Sequence, residues 1–273
     1  MLDIFIHKWL RVPYTLHVTR VNRSKSKRTI VLLHGIGNSG EAWNNVRDKL
    51  ESDYDIVTVD LLGFGSSPSP SWGTYDARTQ ARSVAATLLS LGIVRPVIIV
   101  GHSLGSLVAV EIAKTYRMRV KALVLASPPF YVPEDHPQGI LPNSDAVLRA
   151  LYRSIHKRPD QFVWLSHFAI KRKLVGRAFN VTRENVASYM AALESMIINQ
   201  TSYHDVAQLK LPVHILRGTI DPFVLSKNIR ALKRHNHHIR TYNVIAGHEV
   251  RAAYVPALLK VINASVHQHQ NNV

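Results

Sequence analysis

Ser103 sits at the centre of Gly101-His102-Ser103-Leu104-Gly105, a G-x-S-x-G pentapeptide. Val97-Ile98-Ile99-Val100 precedes it, and a helical pattern through Leu107, Val108, Val110, Ile112 and Ala113 follows. A serine hydroxyl is a poor nucleophile at neutral pH, so it needs a base to take its proton and an acid to orient that base. One candidate for each role comes later in the chain. Asp221 lies in Arg217-Gly218-Thr219-Ile220-Asp221-Pro222 and His248 in Ala246-Gly247-His248-Glu249, each just past an apolar run that reads as a strand. The order Ser, Asp, His, with every member past a strand end, fits a serine on a sharp strand-to-helix turn served by later loops. Such a set performs acyl transfer through a serine ester, and its tetrahedral intermediate needs two backbone N–H donors. Leu104, next after the serine, is expected to supply one, and Ile36 in the tight turn His34-Gly35-Ile36-Gly37 the other.

The chain carries 15 histidines, so a lone imidazole means little and position decides. His34 is expected to hold its own loop by hydrogen bonding. His102, inside the pentapeptide, cannot share the face of Ser103. His235, His237 and His238 crowd a polar loop and read as solvated side chains, so no metal site is expected. Glu134 and Asp135 form a second-choice acid, set back by their depth in a Pro-rich connection.

These groups need a scaffold that brings them to one place. Short apolar strands alternate with helical patterns: Thr29–Leu33, a helix over Glu41–Glu51, Asp55–Val59, then a helix from the N-cap Asp76 to Leu91 with Ala81, Val84, Ala85, Leu88 and Leu89 facing in. Val97–Val100, the serine turn and Lys121–Ala126 continue the rhythm. It resumes with Val213–Arg217, a helix to Arg234, a strand over Thr241–Val244 and a last helix from Val250 to Val266. Tyr14–Val21, and more weakly the chain start, alternate polar and apolar residues and read as two antiparallel edge strands. The pattern predicts a mostly parallel, eight-stranded α/β sheet flanked by helices. Right-handed crossovers then put all strand C-terminal ends on one edge, where ligands bind. Residues 130–205 break the rhythm with helical stretches at Asp145–His156, Pro159–Ile170 and Arg183–Ile198. The expected division is a core of residues 1–129 and 206–273 with an all-helical cap at 130–205.

Composition narrows the class. The chain of 273 residues is long enough for one large core with an insertion. It has no cysteine, so disulfides and Cys-ligated metals are excluded. No apolar run reaches the ~20 residues that span a bilayer, and Met1–Leu10 lacks a signal-peptide layout; a cytoplasmic location is expected. Charge is the outlier: 34 Lys+Arg against 18 Asp+Glu gives a formal +16, which favours an anionic partner. Arg23–Arg28 reads as a solvated basic turn. From Asp145 to Glu184 nine basic residues face three acids. They read first as solvated outer faces of cap helices, with an anionic partner (an acyl carrier, a phosphorylated cofactor arm or a membrane surface) as the alternative. No recognition helix or aromatic–basic interleaving points to nucleic acid.

Together these motifs resemble the α/β-hydrolase-fold serine hydrolases, of the capped kind that includes carboxylesterases, carbon–carbon bond hydrolases and acyl-carrier-protein methyl esterases. His34-Gly35-x-Gly37 followed by Trp43 resembles the family's oxyanion loop, and Gly101–Gly105 its elbow. Asp60-Leu61-Leu62-Gly63-Phe64-Gly65-Ser66-Ser67 resembles its D-x-P-G-x-G-x-S loop with Leu62 in place of proline. Gly218-x-x-Asp221 and Gly247-His248 match the acid and base loops. Tyr254, two before Pro256, stands where the family often has an acid, which implies loss of a supporting contact. Serine in the elbow departs from the haloalkane dehalogenases and epoxide hydrolases, which carry aspartate there.

The resemblance implies hydrolysis of an ester or thioester by Ser103, His248 and Asp221 without a cofactor. Carbon–carbon bond hydrolysis and a receptor-like protein with a vestigial triad are the alternatives. The apolar residues Phe130, Phe162, Trp164, Phe168, Phe223 and Val224, with Tyr131, Leu165 and Phe179, are the candidates for an acyl or aromatic pocket in the small-molecule ester reading.

Overall fold

A computed structural model describes residues 2–21, 27–132, 153, 157–171 and 181–267. Its centre is a sheet of seven strands among these residues, in the order β1-β3-β2-β4-β5-β6-β7. Six strands run parallel: β2 (Thr29–Leu33), β3 (Asp55–Val59), β4 (Val97–His102), β5 (Val120–Ala126), β6 (Val213–Gly218) and β7 (Ile239–Val244). β1 (Val18–Val21) pairs antiparallel with β3, Val18 opposite Val59. The eighth strand expected at the chain start is absent from the described residues, because Ile4–Trp9 coils into π-helical turns.

The strands are apolar throughout because both faces are covered. Successive side chains point to opposite faces, so Ile30 and Leu32 join one core layer while Val31 and Leu33 join the other. On the first layer pack Trp43 and Val46, from the 3₁₀ turn Gly40–Trp43 and the short α1 (Asn44–Arg47), with α8 (Tyr254–His267). The second layer is covered by α2 (Ala77–Ser90), α3 (Leu104–Thr115), α6 (Ser202–Gln208) and α7 (Ser226–His235). Asp76 caps α2 by accepting the Thr79 N–H at 2.8 Å. Leu89, expected inward, is exposed at the far end of α2. The helix expected over Glu41–Glu51 shrinks to the 3₁₀ turn and α1, yet Trp43, Val46 and Leu50 all reach the core.

Between β5 and β6 the described residues are helical: α4 (Pro159–Lys171), α5 (Val186–Ala192), the π-turns Leu193–Ile198, and α6. The helix expected at Asp145–His156 lies almost wholly outside the described residues. So do most of the Arg23–Arg28 turn, the fallback acids Glu134 and Asp135, Phe179, and Arg149, Arg172, Lys173 and Arg177 of the expected cap. Among the described residues no helix is long and apolar enough to cross a membrane.

Candidate active site

The serine turn is shaped by two close approaches. A Cβ on Gly105 would lie 2.3 Å from the Leu33 carbonyl oxygen of β2, and one on Gly101 would lie 2.4 Å from the Gly105 oxygen. Only glycine lets β4 hand over to α3 this tightly. Ser103 pays for the turn with φ 50° and ψ −119°, a conformation non-glycine residues adopt at a cost of about 1–3 kcal/mol. α3 is buried from Leu104 to Ala113, so the turn cannot relax outward.

Three distant side chains meet at this point. His248 Nε2 lies 3.0 Å from Ser103 Oγ, and His248 Nδ1 lies 2.8 Å from Asp221 Oδ2. The loop carrying His248 can run across the end of β6 because Gly218 has no side chain; a Cβ there would sit 2.2 Å from the Ala246 oxygen. Burial alone would raise the Asp221 carboxyl, but hydrogen bonds from His248, the Phe223 N–H and Ser127 outweigh it and hold the group below the usual carboxylate range. A carboxylate that stays ionised keeps the Nδ1 proton on its side of the imidazole and leaves Nε2 to face the hydroxyl.

Two further residues support this arrangement. His102 donates from Nε2 to the His248 carbonyl oxygen at 2.9 Å, pinning the base loop to the serine turn. Burial first, and the neighbouring imidazole second, push His102 down to about 4, so it stays a neutral donor. The sequence excluded His102 from facing Ser103, but gave no sign of this bond to a backbone 146 residues away. Tyr254 corrects another expectation. Its hydroxyl donates to the Leu216 oxygen at 2.7 Å and lies 3.1 Å from Ser127 Oγ, itself bonded to Asp221. A buried tyrosine thus carries a supporting contact where loss of one was expected.

The side of Ile36, the expected oxyanion donor, is held by the loops after β2 and β3. The Leu61 N–H donates to His34 Nε2 at 2.9 Å, and His34 Nδ1 meets the Gly35 oxygen at 2.8 Å, so His34 clamps the two loops together. Asp60 accepts from Gly40 N at 2.6 Å and Ser66 N at 2.8 Å, and Gly65, at φ +57°, clears its carboxylate. Leu62 in the proline position is explained by Gln80: the Leu62 N–H donates to Gln80 Oε1 at 2.9 Å and Gln80 Nε2 returns a bond to the Leu62 oxygen at 2.8 Å. A proline there would lack the donor. Ile36 lines the cavity over Ser103, and Leu104 opens α3, whose first N–H groups have no acceptor within the helix.

That cavity measures about 280 Å³ and is predominantly apolar. Phe162 and Phe223 line it, with Tyr131, whose hydroxyl donates to the Phe223 oxygen at 2.7 Å. Five pocket candidates do not. Phe130 and Val224 are buried in the core beside it, while Trp164 and Phe168 stack on one another at the exposed side of α4, where Leu165 is exposed as well. The wall left unassigned by the sequence comprises Tyr189, Leu193 and Ile197, with the polar Asn38 and Glu249 near the base. Tyr189, Leu193 and Ile197 recur at every fourth position, as on one helix face, but inward to core and inward to cavity look alike in sequence. His235 bonds the Ala231 oxygen at a helix end, and among the described residues no cluster of His, Asp or Glu is arranged to hold a metal.

Residues 28–249 match the family described as alpha/beta hydrolase fold, and the chain belongs to that family. It is 29% identical over 220 residues to a pimeloyl-[acyl-carrier protein] methyl ester esterase of Pseudoalteromonas atlantica, covering 77% of this chain and 82% of that protein. It is 31% identical over 146 residues to the probable lysophospholipase BODYGUARD 2 of Arabidopsis thaliana, covering 52% of this chain and 30% of that protein. The chain thus spans less than a third of the length of this plant relative. An esterase of Thermogutta terrifontis superposes with a TM-score of 0.69 over 93% of this chain and 92% of its own, at 19% identity. Its fold is that of the alpha/beta hydrolases, and its relatives include an esterase and a probable lysophospholipase.

Proposed function

We propose that the protein is a serine hydrolase of an ester or thioester with a compact apolar acyl or aromatic group. Ser103 Oγ attacks the carbonyl carbon while His248 Nε2 takes its proton, and Asp221 stabilises the imidazolium that forms. The N–H groups of Ile36 and Leu104 hold the oxyanion, each worth about 3 kcal/mol of barrier. Collapse expels the alcohol or thiol, which leaves with the proton from His248. Water, deprotonated by the same imidazole, then releases the acid from Ser103. The observation that carries the reading is the unbroken run of hydrogen bonds from Ser103 through His248 to Asp221, opening onto an apolar cavity. The esterase named among the relatives supports an ester as the scissile group. Residues 130–205 act as the cap of this reading, contributing Phe162, Tyr189 and Leu193 to the acyl wall. The volume lies near the lower bound of ~300 Å³ for ligand cavities, which favours short acyl groups.

The test is turnover of p-nitrophenyl acetate, butyrate and laurate with fluorophosphonate labelling of the same preparations. Wild type is expected to favour the short esters and to take the label; Ser103→Ala is expected to lose turnover by about 10⁴-fold or more and to stay unlabelled. Undiminished turnover in Ser103→Ala overturns the proposal. Cleavage of vinylogous diketones without esterase activity would replace it with carbon–carbon bond hydrolysis.

A further inference from the structure

We propose that the protein docks on an anionic phospholipid surface through two apolar patches, one at residues 2–12 and one on the outer side of α4. The first is a helix turned inside out. Leu2, Phe5 and Trp9 recur at helical spacing and are 72%, 55% and 74% exposed, and no residue of the turns Ile4–Trp9 is buried. What fastens the segment is its polar side: the Tyr14 hydroxyl donates to Asp3 Oδ2 at 2.8 Å, and the His7 ring stacks on Tyr14 at 3.7 Å. A globular helix normally does the reverse, burying its apolar stripe. Scattered exposed leucines are ordinary, but an outward stripe of Leu, Phe and Trp continued by the exposed Leu10 and Val12 marks an interaction surface.

The second patch has the same character. Trp164 and Leu165 are 65% and 53% exposed, and Trp164 stacks with Phe168, while Phe162 and Ser166 hold the helix from beneath through Tyr189 and the Val181 oxygen. Both patches belong to the rim that carries Ser103. β1 is antiparallel with Val18 opposite Val59, so the chain before it emerges at the strand C-terminal edge. Tyr14 then meets Trp72 at 6.0 Å, and Ser69 of the same loop bonds Ser188 of α5 at 2.7 Å, tying the segment to the cap.

Charge selects the occupant. Lys8 and Arg11 flank the first patch, and Lys157, Arg158 and Lys171 the ends of α4, within a chain of formal charge +16. The nearby acids are engaged: Asp3 with Tyr14, and Asp160 with Arg183 at 2.9 Å. Basic side chains alone would suit an acidic protein as well. Exposed tryptophans beside lysine and arginine, on two separate elements, match the headgroup region, where amphipathic rings and cations are both accommodated.

The test is sedimentation of the full chain with vesicles of phosphatidylcholine alone and of phosphatidylcholine with phosphatidylglycerol, at low and high salt. Wild type is expected to bind the anionic vesicles and to be released by salt. Phe5→Ser/Trp9→Ser and Trp164→Ser/Leu165→Ser are each expected to weaken partitioning by about tenfold, with unchanged melting temperatures. Failure of wild type to bind, binding undiminished when all four substitutions are combined, or capture of an acidic acyl carrier protein in place of vesicles would overturn the proposal. Ser103→Ala is expected to bind as wild type, so docking and hydrolysis stand or fall separately.

Discussion

On the sheet side of the Ser103 cavity each functional side chain is fixed through a backbone contact. The wall opposite, formed by Phe162, Tyr189, Leu193 and Ile197, is held by apolar packing. Ser103 is set by glycines whose Cβ atoms would strike main-chain oxygens, His248 by the bond from His102 to its carbonyl, and Asp221 by the Phe223 N–H. Backbone contacts tolerate few residue types, because a missing donor or an added methyl cannot be absorbed. Apolar packing tolerates many, since residues of similar volume exchange at modest cost. On the proposed reading the first side decides whether chemistry occurs, and the second decides on what.

Three experiments sharpen that contrast. Asp221→Asn attacks the sheet side directly, and turnover of a short p-nitrophenyl ester is expected to fall by about 10⁴-fold because the imidazole loses its orienting charge. The same variant carries a stability signature. The folded carboxyl titrates below its ordinary value, so its contribution is present above about pH 4 and is lost as pH falls through the folded value. Melting temperatures across the acid range are expected to decline less steeply in Asp221→Asn than in wild type; parallel declines would count against the carboxylate's hydrogen bonds as the cause.

Leu62→Pro tests whether a family-typical residue fits this particular loop. It removes a buried donor to Gln80 and is expected to cost about 1–3 kcal/mol, read as a lower denaturant midpoint with unchanged slope. An unaffected midpoint would show that the Gln80 clamp carries no net stability. Phe162→Ala acts on the opposite wall. It is expected to raise KM for short esters several-fold with little change in kcat, and to move preference toward longer chains, because it enlarges the cavity without touching the hydrogen bonds. A kcat loss matching that of Asp221→Asn would erase the distinction between the two sides.

The same contrast explains what the sequence disclosed. Gly101, Gly105 and Gly218 are legible because only one residue type survives where backbone passes backbone. The parallel strands are legible because burial on both faces leaves uninterrupted apolar runs. Tyr254 was misread because its position relative to Pro256 said nothing of a hydroxyl reaching from α8 to Ser127, just past β5, and to Leu216 in β6. Trp164 and Phe168 were misread because an aromatic residue on a helix has the same appearance whether it faces a cavity or solvent. The chain start was misread because weak alternation over a few residues also fits the helical turns that Ile4–Trp9 adopt.

The burial of α3 from Leu104 to Ala113 has a bearing on traffic through the molecule. A helix exposed only at its far end has little room to swing, and Ser103 at its N-cap is anchored as firmly as the middle of the sheet. In the proposed reaction, entry of reactant and exit of acid then fall to the Phe162–Ile197 side yielding. Turnover speed becomes a property of the least constrained part of the protein, and selection for new substrates can act there without disturbing the groups that break the bond.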